Sequence, residues 1–424
     1  MRLHRKTRAK LFALIAAAIG STWSATADAA QTTIDIFKNA GIQFGGNASW
    51  NAQPGVSILD NGRIIERTIT LPELGPFSRV TTNLKLTAGS DAWDRAGNIY
   101  VSTAAGDVEL HKFITAFGGT TTHQQDITAL IPTLRNGQLK IRAFVDTWVQ
   151  AARTLDFSLT ITDETANRAP IWGRPLMNDQ DWRAGEYPNG RNSMSFIGVP
   201  NSVGKVILNY LPSGHASDGN GGDEFTQRTH RIFIDGTQVW QGIPWRTDGR
   251  NFRSVNPTSG RWGDVWSSDL DRAGWIPGDD VDPIQVDVTQ YLTPGKRHTV
   301  EYQIDGIRPG DNSGYGYWRA SSYVTAYAAS AGPADFDYNG VVDGADFLIW
   351  QRNSGLSGQV NNGAGDANGD GFVNGRDLVS WRTAFGTRFG SAVPASVPEP
   401  AGCGAMLFAL TTLAGSRRGR SSQA

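Results

Sequence analysis

The sequence has little cysteine, little methionine and little charge for its length. Among 424 residues there are one cysteine and four methionines, and charged residues make up 19%, with a formal net charge of −1. The cysteine, Cys403, lies in a C-terminal tail that we expect to be removed, so the mature protein would contain no disulfide. A nearly neutral chain argues against a nucleic acid or an acidic membrane surface as a partner.

Long apolar runs are also missing, apart from short ones near the two ends. Residues 2–10 are strongly basic, residues 11–20 are apolar, and small residues suited to cleavage follow at 25–29. Such an apolar run is too short to span a bilayer, and the pattern is typical of an export signal. We therefore predict that residues 1–30 are a signal peptide.

The second short apolar run lies at the C-terminus. Residues 397–400 read Val-Pro-Glu-Pro, residues 401–414 are mostly apolar, and a basic end follows at 417–420. This arrangement resembles a PEP-CTERM sorting signal, which we place at residues 396–420. The two end segments predict a secreted or cell-surface protein that contacts a membrane only through them.

Apolar residues at helical spacing are absent over any long stretch between Gln31 and about Ser330. The chain is instead rich in glycine, with 50 residues, and in tryptophan, with 14. Alternating or β-branched runs bounded by turn residues predict strands at 63–71, 79–87, 98–102, 108–115, 138–145, 154–162, 193–199, 205–211, 230–234, 284–288, 298–304 and 315–326. A polar break at 163–170 divides these runs, so we predict an all-β fold of two sandwiches, at residues 31–165 and 166–330.

A short linker, residues 331–334, leads into a duplicated acidic segment at 335–388. Each copy has oxygen side chains at loop positions 1, 3, 5, 9 and 12 and glycine at position 6, as an EF-hand-type calcium loop requires. The main-chain carbonyl at position 7 would complete each site. The predicted ligands of two Ca²⁺ ions are Asp335, Asp337, Asn339, Val341, Asp343, Asp346, Asp366, Asn368, Asp370, Phe372, Asn374 and Asp377.

Each calcium loop leads into an apolar helical run. Aspartate at position 12 and two loops on one short module resemble a type I dockerin, which implies a small α-helical unit with a cohesin domain as its partner. The sequence itself does not identify that cohesin.

One stretch of the first sandwich, residues 90–101, places Asp94 and Arg95 between a tryptophan and a predicted strand. A residue at the end of a strand has a well-defined position, which suits a functional side chain. The neighbouring guanidinium of Arg95 is expected to keep Asp94 ionised. Taken alone, this triplet is also typical of a surface ion pair beside a core tryptophan.

Four further segments change that interpretation. Together the five resemble, in order, the motifs of the peptide-N-glycosidase F family, whose fold is two eight-stranded jelly rolls side by side. The segments are residues 90–101, 113–115, 139–148, 214–230 and 271–278.

The resemblance implies an amidase that cleaves the bond between an asparagine side chain and the first sugar of an N-linked glycan, with a glycoprotein or glycopeptide as substrate. It assigns Asp94 as the principal catalytic carboxylate, Glu224 as the second and Asp146 as a third acidic group. The chemistry needs a base, an acid and stabilisation of an oxyanion, which carboxylates in different environments and guanidinium groups can supply without a metal or other cofactor. The implied substrate-binding residues are Arg95, Arg272, Trp148 and His215.

The sequence departs from the family pattern in three respects. Asp146 is one methylene shorter than the glutamate of the family, and Ser213 replaces a tryptophan. The family's cysteines are absent, so the glycine-rich stretch 218–222 is untethered and we expect Glu224 to be poorly preorganised.

Two other functions compete with the amidase. Copper monooxygenases share a double jelly roll, but the histidines of this chain are scattered and include no His-x-His pair. A non-catalytic glycan-binding or scaffold β-sandwich is the stronger alternative, although such a protein has no evident need for opposed carboxylates.

The calcium assignment makes the first testable prediction. Because a loop rich in carboxylates depends on its ion, chelation should disorder residues 335–386 and leave the two sandwiches folded. Circular dichroism and limited proteolysis before and after adding EDTA measure this change. If both are unaltered in the module, the calcium sites are wrong.

Overall fold

The computed structural model describes residues 31–45, 50–75, 78–135, 137–163, 170–187, 191–196, 198–200, 203–217, 222–312, 314–328, 332–338, 340–359 and 362–388. The predicted signal peptide, the predicted sorting signal and the predicted calcium ligand Asn339 lie outside these residues.

Residues 31–163 form nine strands in the described part of the chain. They are β1 (Gln31–Ile42), β2 (Val56–Leu59), β3 (Ile64–Thr70), β4 (Ser78–Ala88), β5 (Ala96–Thr103), β6 (Gly106–Ile114), β7 (Thr121–Asp126), β8 (Gln138–Val145) and β9 (Arg153–Asp163). A short helix, α1 (Ile131–Leu134), and single 3₁₀ turns at Asp60–Gly62 and Thr128–Leu130 connect them.

These strands make two antiparallel sheets, in the orders β1-β9-β4-β7 and β2-β3-β8-β5-β6. Apolar side chains from both sheets fill the space between them, among them Val80, Leu84, Ile99, Ile141 and Leu159. We expected eight strands. The additional strand is β2, a four-residue edge strand that pairs with β3.

The described residues between 172 and 328 form ten further strands. They are β10 (Trp172–Arg183), β11 (Arg191–Phe196), β12 (Val203–Ala216), β13 (His230–Ile234), β14 (Thr237–Gly242), β15 (Arg261–Trp262), β16 (Val265–Trp266), β17 (Ile284–Asp287), β18 (His298–Ile304) and β19 (Gly316–Ala328). The 3₁₀ turns of this part are Gly249–Val255, Ser267–Asp269 and Thr289–Tyr291.

Eight of these strands form a second pair of antiparallel sheets, in the orders β10-β19-β12-β17 and β11-β18-β13-β14, while β15 and β16 form a separate hairpin. Their own core includes Trp182, Tyr210, Tyr302 and Trp318. Strands account for 47% of the structure and helices for 14%, so the predicted all-β character of the main body is confirmed.

The two sandwiches share a seam along β6. Leu211, Trp275, Val281 and Tyr323 of the second sandwich belong to the apolar cluster of the first. The ammonium group of Lys112, which is 1% exposed, donates to main-chain oxygens of the second sandwich. Elements on either side of this seam are therefore held at a fixed distance.

Residues 332–388 form a small helical unit with internal symmetry. Helices α2 (Gly344–Asn353) and α3 (Gly375–Ala384) are joined by a 3₁₀ turn at Asn362–Ala364. The indole nitrogen of Trp350 donates to the main-chain oxygen of Asn374 at 2.8 Å, and that of Trp381 donates to Asp343 at 2.9 Å. Each helix thus contacts the residue that caps the other.

In the described residues, no helix combines the length and apolar character needed to cross a membrane.

Close approach at the seam makes Gly119 a test of the fold. A Cβ at residue 119 would overlap the main-chain oxygen of Val255, which cannot move without shifting the seam. Gly119→Ala should therefore lower the free energy of unfolding by about 1–3 kcal/mol, as overpacking does. Gly260→Ala is the control, since no atom lies within 4 Å of its added Cβ. Urea denaturation measures both, and equal stabilities would contradict the packing described.

Candidate active site

A cavity of about 700 Å³ lies on the seam between the two sandwiches. Six of the predicted site residues line it: two from the loop before β5, two from the end of β8 and two from the second sandwich. Its lining includes Asp94, Arg95, Trp93, Asp146, Trp148, Asp179, His215, Glu224, Tyr317 and Arg319. Arg272 is not part of the lining.

Asp91 anchors the loop that precedes β5. Its carboxylate is 1% exposed and accepts hydrogen bonds from Arg95 Nε at 2.9 Å and Arg95 Nη2 at 3.3 Å. Thr147 Oγ1 donates to it at 2.5 Å. Burial raises the pKa of Asp91, but the bonds from Arg95 and Thr147 lower it by more, so its pKa lies below the ordinary value.

The buried guanidinium of Arg153 fixes the same loop from behind. It donates to the main-chain oxygens of Asp91 at 3.2 Å, Ala116 at 2.5 Å and Gly119 at 3.0 Å. Arg95 N also donates to Thr115 Oγ1 at 2.9 Å, which explains the short motif at 113–115. The strand end therefore presents Asp94 at a defined position.

Asp94 projects from this loop and is 15% exposed. Burial raises its pKa, and the nearby charges of Arg272 and Arg95 offset that effect only in part. We expected Arg95 to keep Asp94 ionised. The charge of Arg95 does lower the pKa of Asp94, but Arg95 makes its ion pair with Asp91, and desolvation outweighs its effect on Asp94.

Arg272 lies beneath the cavity and connects the two predicted catalytic carboxylates. Its Nε donates to Glu224 Oε1 at 2.9 Å, and its Nη2 lies 3.8 Å from Asp94 Oδ2. The guanidinium also donates to the main-chain oxygens of Ser267 and Leu270. We predicted that Arg272 binds sugar hydroxyls or offsets charge on the oxyanion. With 0% exposure it cannot reach a sugar in this conformation, so the first of these roles does not fit the structure.

Aromatic rings enclose the same guanidinium. Its carbon lies 4.9 Å from the ring centroid of Phe225 and 4.9 Å from that of Trp275. Rings at this distance attract a cation and exclude water from it. Arg272 is therefore a fixed positive charge that acts on Asp94 and Glu224 from below.

Glu224 is better anchored than the glycine-rich sequence before it suggested. The neighbouring Asp223 is fully buried, makes an ion pair with Arg228 and accepts from the main-chain N–H of Arg308 at 3.0 Å. The main-chain oxygen of Glu224 accepts from Ala273 N at 2.9 Å. These bonds fix Glu224 on both sides without a disulfide.

Asp146 follows the end of β8 and lies between two arginines. Arg63 Nη1 is 3.3 Å from Asp146 Oδ1, and Arg319 Nη1 is 3.5 Å from Asp146 Oδ2. Asp146 N donates to the oxygen of Ala96 at 2.9 Å, so β5 and β8 bring this carboxylate to the same end of the sheet as Asp94. The shorter aspartate is thus paired with guanidinium groups rather than left free.

Two exposed tryptophans stand at the cavity. Trp93 is 61% and Trp148 57% exposed, although large apolar side chains are usually buried. Arg63 lies 4.5 Å from the ring of Trp148, and Phe44 packs against that ring at 4.8 Å. The indole of Trp148 is therefore held in place with one face toward the solvent.

His215 forms part of the cavity wall as a neutral group. Its ring is stacked between Trp275 and Tyr317, with centroids at 5.4 and 5.3 Å. Its Nε2 is 2.8 Å from Ser213 Oγ. Burial, with the nearby charges of Arg319 and Lys112, holds the pKa of His215 well below its ordinary value.

The motifs did not identify the charged pair Asp179 and Arg319. Arg319 Nε donates to Asp179 Oδ1 at 3.0 Å, and Lys112 Nζ lies 3.4 Å from the same oxygen. This group supports Asp146 through Arg319. Four more lining residues were also missed: Asp181, Arg183, Tyr315 and Tyr317. For Asp181 and Arg183, an alternating polar pattern along β10 would have been the signal, and β-bulges interrupt it.

The predicted calcium ligands cluster in the first loop of the helical unit. Carboxylate oxygens of Asp335, Asp337 and Asp346 all lie within 4.8 Å of one another. Asp346 Oδ1 also accepts from Phe336 N at 2.6 Å, and its Oδ2 accepts from Asp343 N at 2.8 Å. Position 12 therefore ties the start of the loop to the helix that follows it.

The second loop repeats these bonds. Asp377 Oδ1 accepts from Ala367 N at 2.9 Å, and its Oδ2 accepts from Asn374 N at 2.8 Å. The two position-9 residues, Asp343 and Asn374, each cap their helix through the side chain. Of the other predicted ligands, Val341 and Phe372 pair with Arg388 and Ser357, while Asp366, Asn368 and Asp370 accept main-chain N–H groups of the loop.

Two family models match the chain. Residues 33–109 match the N-terminal part of peptide-N-glycosidase F, and residues 187–325 match its C-terminal part. Together these ranges span just over half of the sequence. The chain belongs to the peptide-N-glycosidase F family. The family predicted from the five motifs is thereby confirmed.

Solved peptide-N-glycosidase F structures share the fold. PNGF-II, in its P21 space group, superposes with a TM-score of 0.62 at 23% identity, over 70% of this chain and 66% of that one. PNGase F, described as a glycosylasparaginase from Flavobacterium meningosepticum, gives 0.57 at 21% identity, over 71% and 97%. The chain thus spans slightly less than two thirds of PNGF-II and nearly all of PNGase F. No curated protein sequence matches significantly.

The opposite pKa shifts of Asp94 and Asp91 make a stability prediction. The pKa of Asp94 is higher in the folded state than in the unfolded state, where it is about 3.8. Asp94 therefore contributes to the free energy of unfolding at low pH, and this contribution is lost as the pH rises through the pKa of the folded state. Asp94→Asn should therefore be more stable than the wild type at pH 7, and the difference should shrink toward pH 4. Thermal unfolding across this range measures it.

Asp91→Asn is the matched control with the opposite sign. The lowered pKa of Asp91 contributes stability above 3.8 that is lost as the pH falls through the folded value. Asp91→Asn should therefore destabilise the protein at pH 7. Equal destabilisation by both substitutions would show that desolvation does not dominate at Asp94.

Proposed function

We propose that the protein is a peptide-N-glycosidase F-type amidase that hydrolyses the side-chain amide linking asparagine to an N-linked glycan. One observation carries this proposal. Asp94 and Glu224 come from separate sandwiches, line the same cavity and both lie beside the guanidinium of Arg272. Family membership supports the same reaction and a glycoprotein or glycopeptide substrate.

The reaction adds water across the amide bond. Asp94 is the principal carboxylate and takes a proton from the attacking water, for which a pKa raised toward the working pH makes it a better base. Glu224 is the second carboxyl group and exchanges protons with the leaving nitrogen. The products are aspartate and a 1-amino sugar, so each atom of the water is accounted for.

Positive charge and flat surfaces complete the proposed site. Arg95 lines the cavity and would offset charge on the oxyanion or bind sugar hydroxyls. Trp148 would stack on a sugar ring, as its exposed face allows, and Asp146 would hold substrate or water between Arg63 and Arg319. His215 contributes a neutral wall. These groups suffice for the reaction, so we propose that the active site uses no metal.

Glycan release from a denatured glycoprotein tests the proposal. The wild type should release glycan with conversion of asparagine to aspartate, a mass gain of about 1 Da at the site. Asp94→Asn should reduce the rate by about 10²–10⁴-fold, because it removes a group that transfers a proton. Asp107→Asn, at the far end of the β5–β6 hairpin, is the control and should retain the wild-type rate.

A glycan-binding protein without activity is the alternative outcome. The exposed Trp93 and Trp148 would serve such a protein equally well. Tight binding of the glycopeptide by the wild type, with no aspartate formed, would support that function and overturn the amidase.

We further propose that residues 335–388 are a calcium-binding, dockerin-like module with a cohesin domain as its partner. The support is the matched set of bonds at Asp346 and Asp377 and the cluster of three carboxylates in the first loop. Exposed apolar side chains on this unit, among them Leu348 and Val379, are available to a partner. Export by residues 1–30 and sorting by residues 396–420 complete the proposal of a secreted or cell-surface enzyme.

A further inference from the structure

The fold brings together two histidines that lie outside the catalytic motifs and the cavity. His111 Nε2, on β6, lies 2.7 Å from Asp280 Oδ1, and His123 Nδ1, on β7, lies 2.8 Å from the same oxygen. The side chains of His111, His123 and Asp280 are 0%, 3% and 15% exposed. The three groups thus converge on one small, largely dry volume.

The outward nitrogens of both rings contact threonine hydroxyl groups. His111 Nδ1 is 2.8 Å from Thr82 Oγ1, and His123 Nε2 is 2.7 Å from Thr121 Oγ1. A ring that ligates a metal almost always has such a hydrogen-bond partner on its other nitrogen, which fixes the tautomer and the ring orientation.

The hydroxyl of Thr82 has two possible acceptors for its one proton. They are the main-chain oxygen of Gln125 at 3.2 Å and His111 Nδ1 at 2.8 Å. When the proton is directed to Gln125, His111 Nδ1 carries the N–H and its Nε2 presents a lone pair to Asp280 Oδ1, 2.7 Å away. In that tautomer a metal ion between the two atoms takes the place that a proton has in the other one.

We propose that His111, His123 and Asp280 bind a divalent transition-metal ion, with Zn²⁺ as the best fit. Two imidazole nitrogens and one carboxylate oxygen are a common ligand set for zinc. Bonds of about 2.0–2.1 Å in a tetrahedron separate the ligand atoms by roughly 3.3 Å, so each nitrogen–oxygen pair must open by about 0.5 Å. The ring of Phe113, 6.2 and 6.1 Å from the two imidazoles, closes one side of the site.

The ion would join the two sandwiches. Both histidines belong to the first sandwich, whereas Asp280 lies in the second, where the adjacent main chain is paired with β6. Ile114 N donates to Asp279 O at 3.0 Å, and Val281 N donates to Lys112 O at 2.9 Å. A metal at this point adds bonds across the seam, so its role is structural and is independent of the proposed hydrolysis.

Zinc content of the full chain, without a histidine tag, tests the site. The protein is stripped with a chelator, returned to buffer with Ca²⁺ to fill the acidic loops, loaded with ZnCl₂ and gel-filtered before elemental analysis. The wild type should retain about one zinc ion per chain, and His123→Gln and Asp280→Asn should retain less than about a fifth of that. Thermal unfolding should show a rise in Tm with zinc only in the wild type.

Two further variants separate a metal from a hydrogen-bonded cluster. His298→Gln is the matched control, because His298 also pairs with an aspartate, Asp235, at 2.7 Å but has no second histidine, and it should retain zinc. Thr82→Val removes the outer partner of His111 and should weaken zinc affinity about 10–100-fold.

Each contrary result is decisive. A wild type that retains no zinc shows that protons occupy the site, and zinc retained by His123→Gln and Asp280→Asn shows that the ion binds elsewhere. If these variants do not fold, X-ray absorption of the zinc-loaded wild type decides. The expected shell is two imidazoles and at least one oxygen at about 2.0–2.1 Å, and a shell of oxygen alone overturns the proposal.

Discussion

The buried guanidinium of Arg272 is the interaction on which the candidate site depends. It contacts two carboxylates that come from separate sandwiches. Two main-chain oxygens and two aromatic rings fix its own position. A charge held in this way cannot follow the carboxylates when they move, and its field is weakly screened because water is excluded. Glu224 accepts a hydrogen bond from this cation at 2.9 Å, whereas Asp94 lies 3.8 Å from it. The two carboxylates thus share one cation in different environments, which is the condition for dividing acid and base roles.

A second group of charged residues stabilises the part of the cavity around Asp146. Lys112 and Arg319 both contact the carboxylate of Asp179, and Arg319 reaches on to Asp146. Burial acts against the charge of Asp179, but the two cations lower its pKa overall. Because Lys112 belongs to the first sandwich and Asp179 to the second, this group holds the seam closed and positions Asp146 at the same time.

The sequence predicted strands in which apolar and polar residues alternate, and it missed strands that lack this alternation. Strands β8, β13 and β18 have the predicted bounds, since their apolar side chains face one core. Strand β7 is too polar to be recognised, and the bulges of β10 break its alternation. In both cases tertiary pairing, rather than local propensity, determines the strand.

The same limit applies to the site. Asp94, Glu224 and Asp146 were found because they lie within recognisable motifs, whereas Asp179 and Arg319 have meaning only once β10 and β19 are paired. Burial of Arg272 and the ion pair between Asp91 and Arg95 depend on which way side chains point, and spacing along the chain does not determine that. The histidines looked scattered because their neighbourhood is created by two sheets and a loop from the other sandwich.

Each sandwich has its own apolar core, but the cavity between them belongs to neither. A slight parting of the two halves would separate the acid groups while every strand kept its partners. Heat or denaturant should thus lower the proposed activity before any spectroscopic sign of lost secondary structure. The proposed activity would then be limited by the contact between the two sandwiches rather than by the melting of either one.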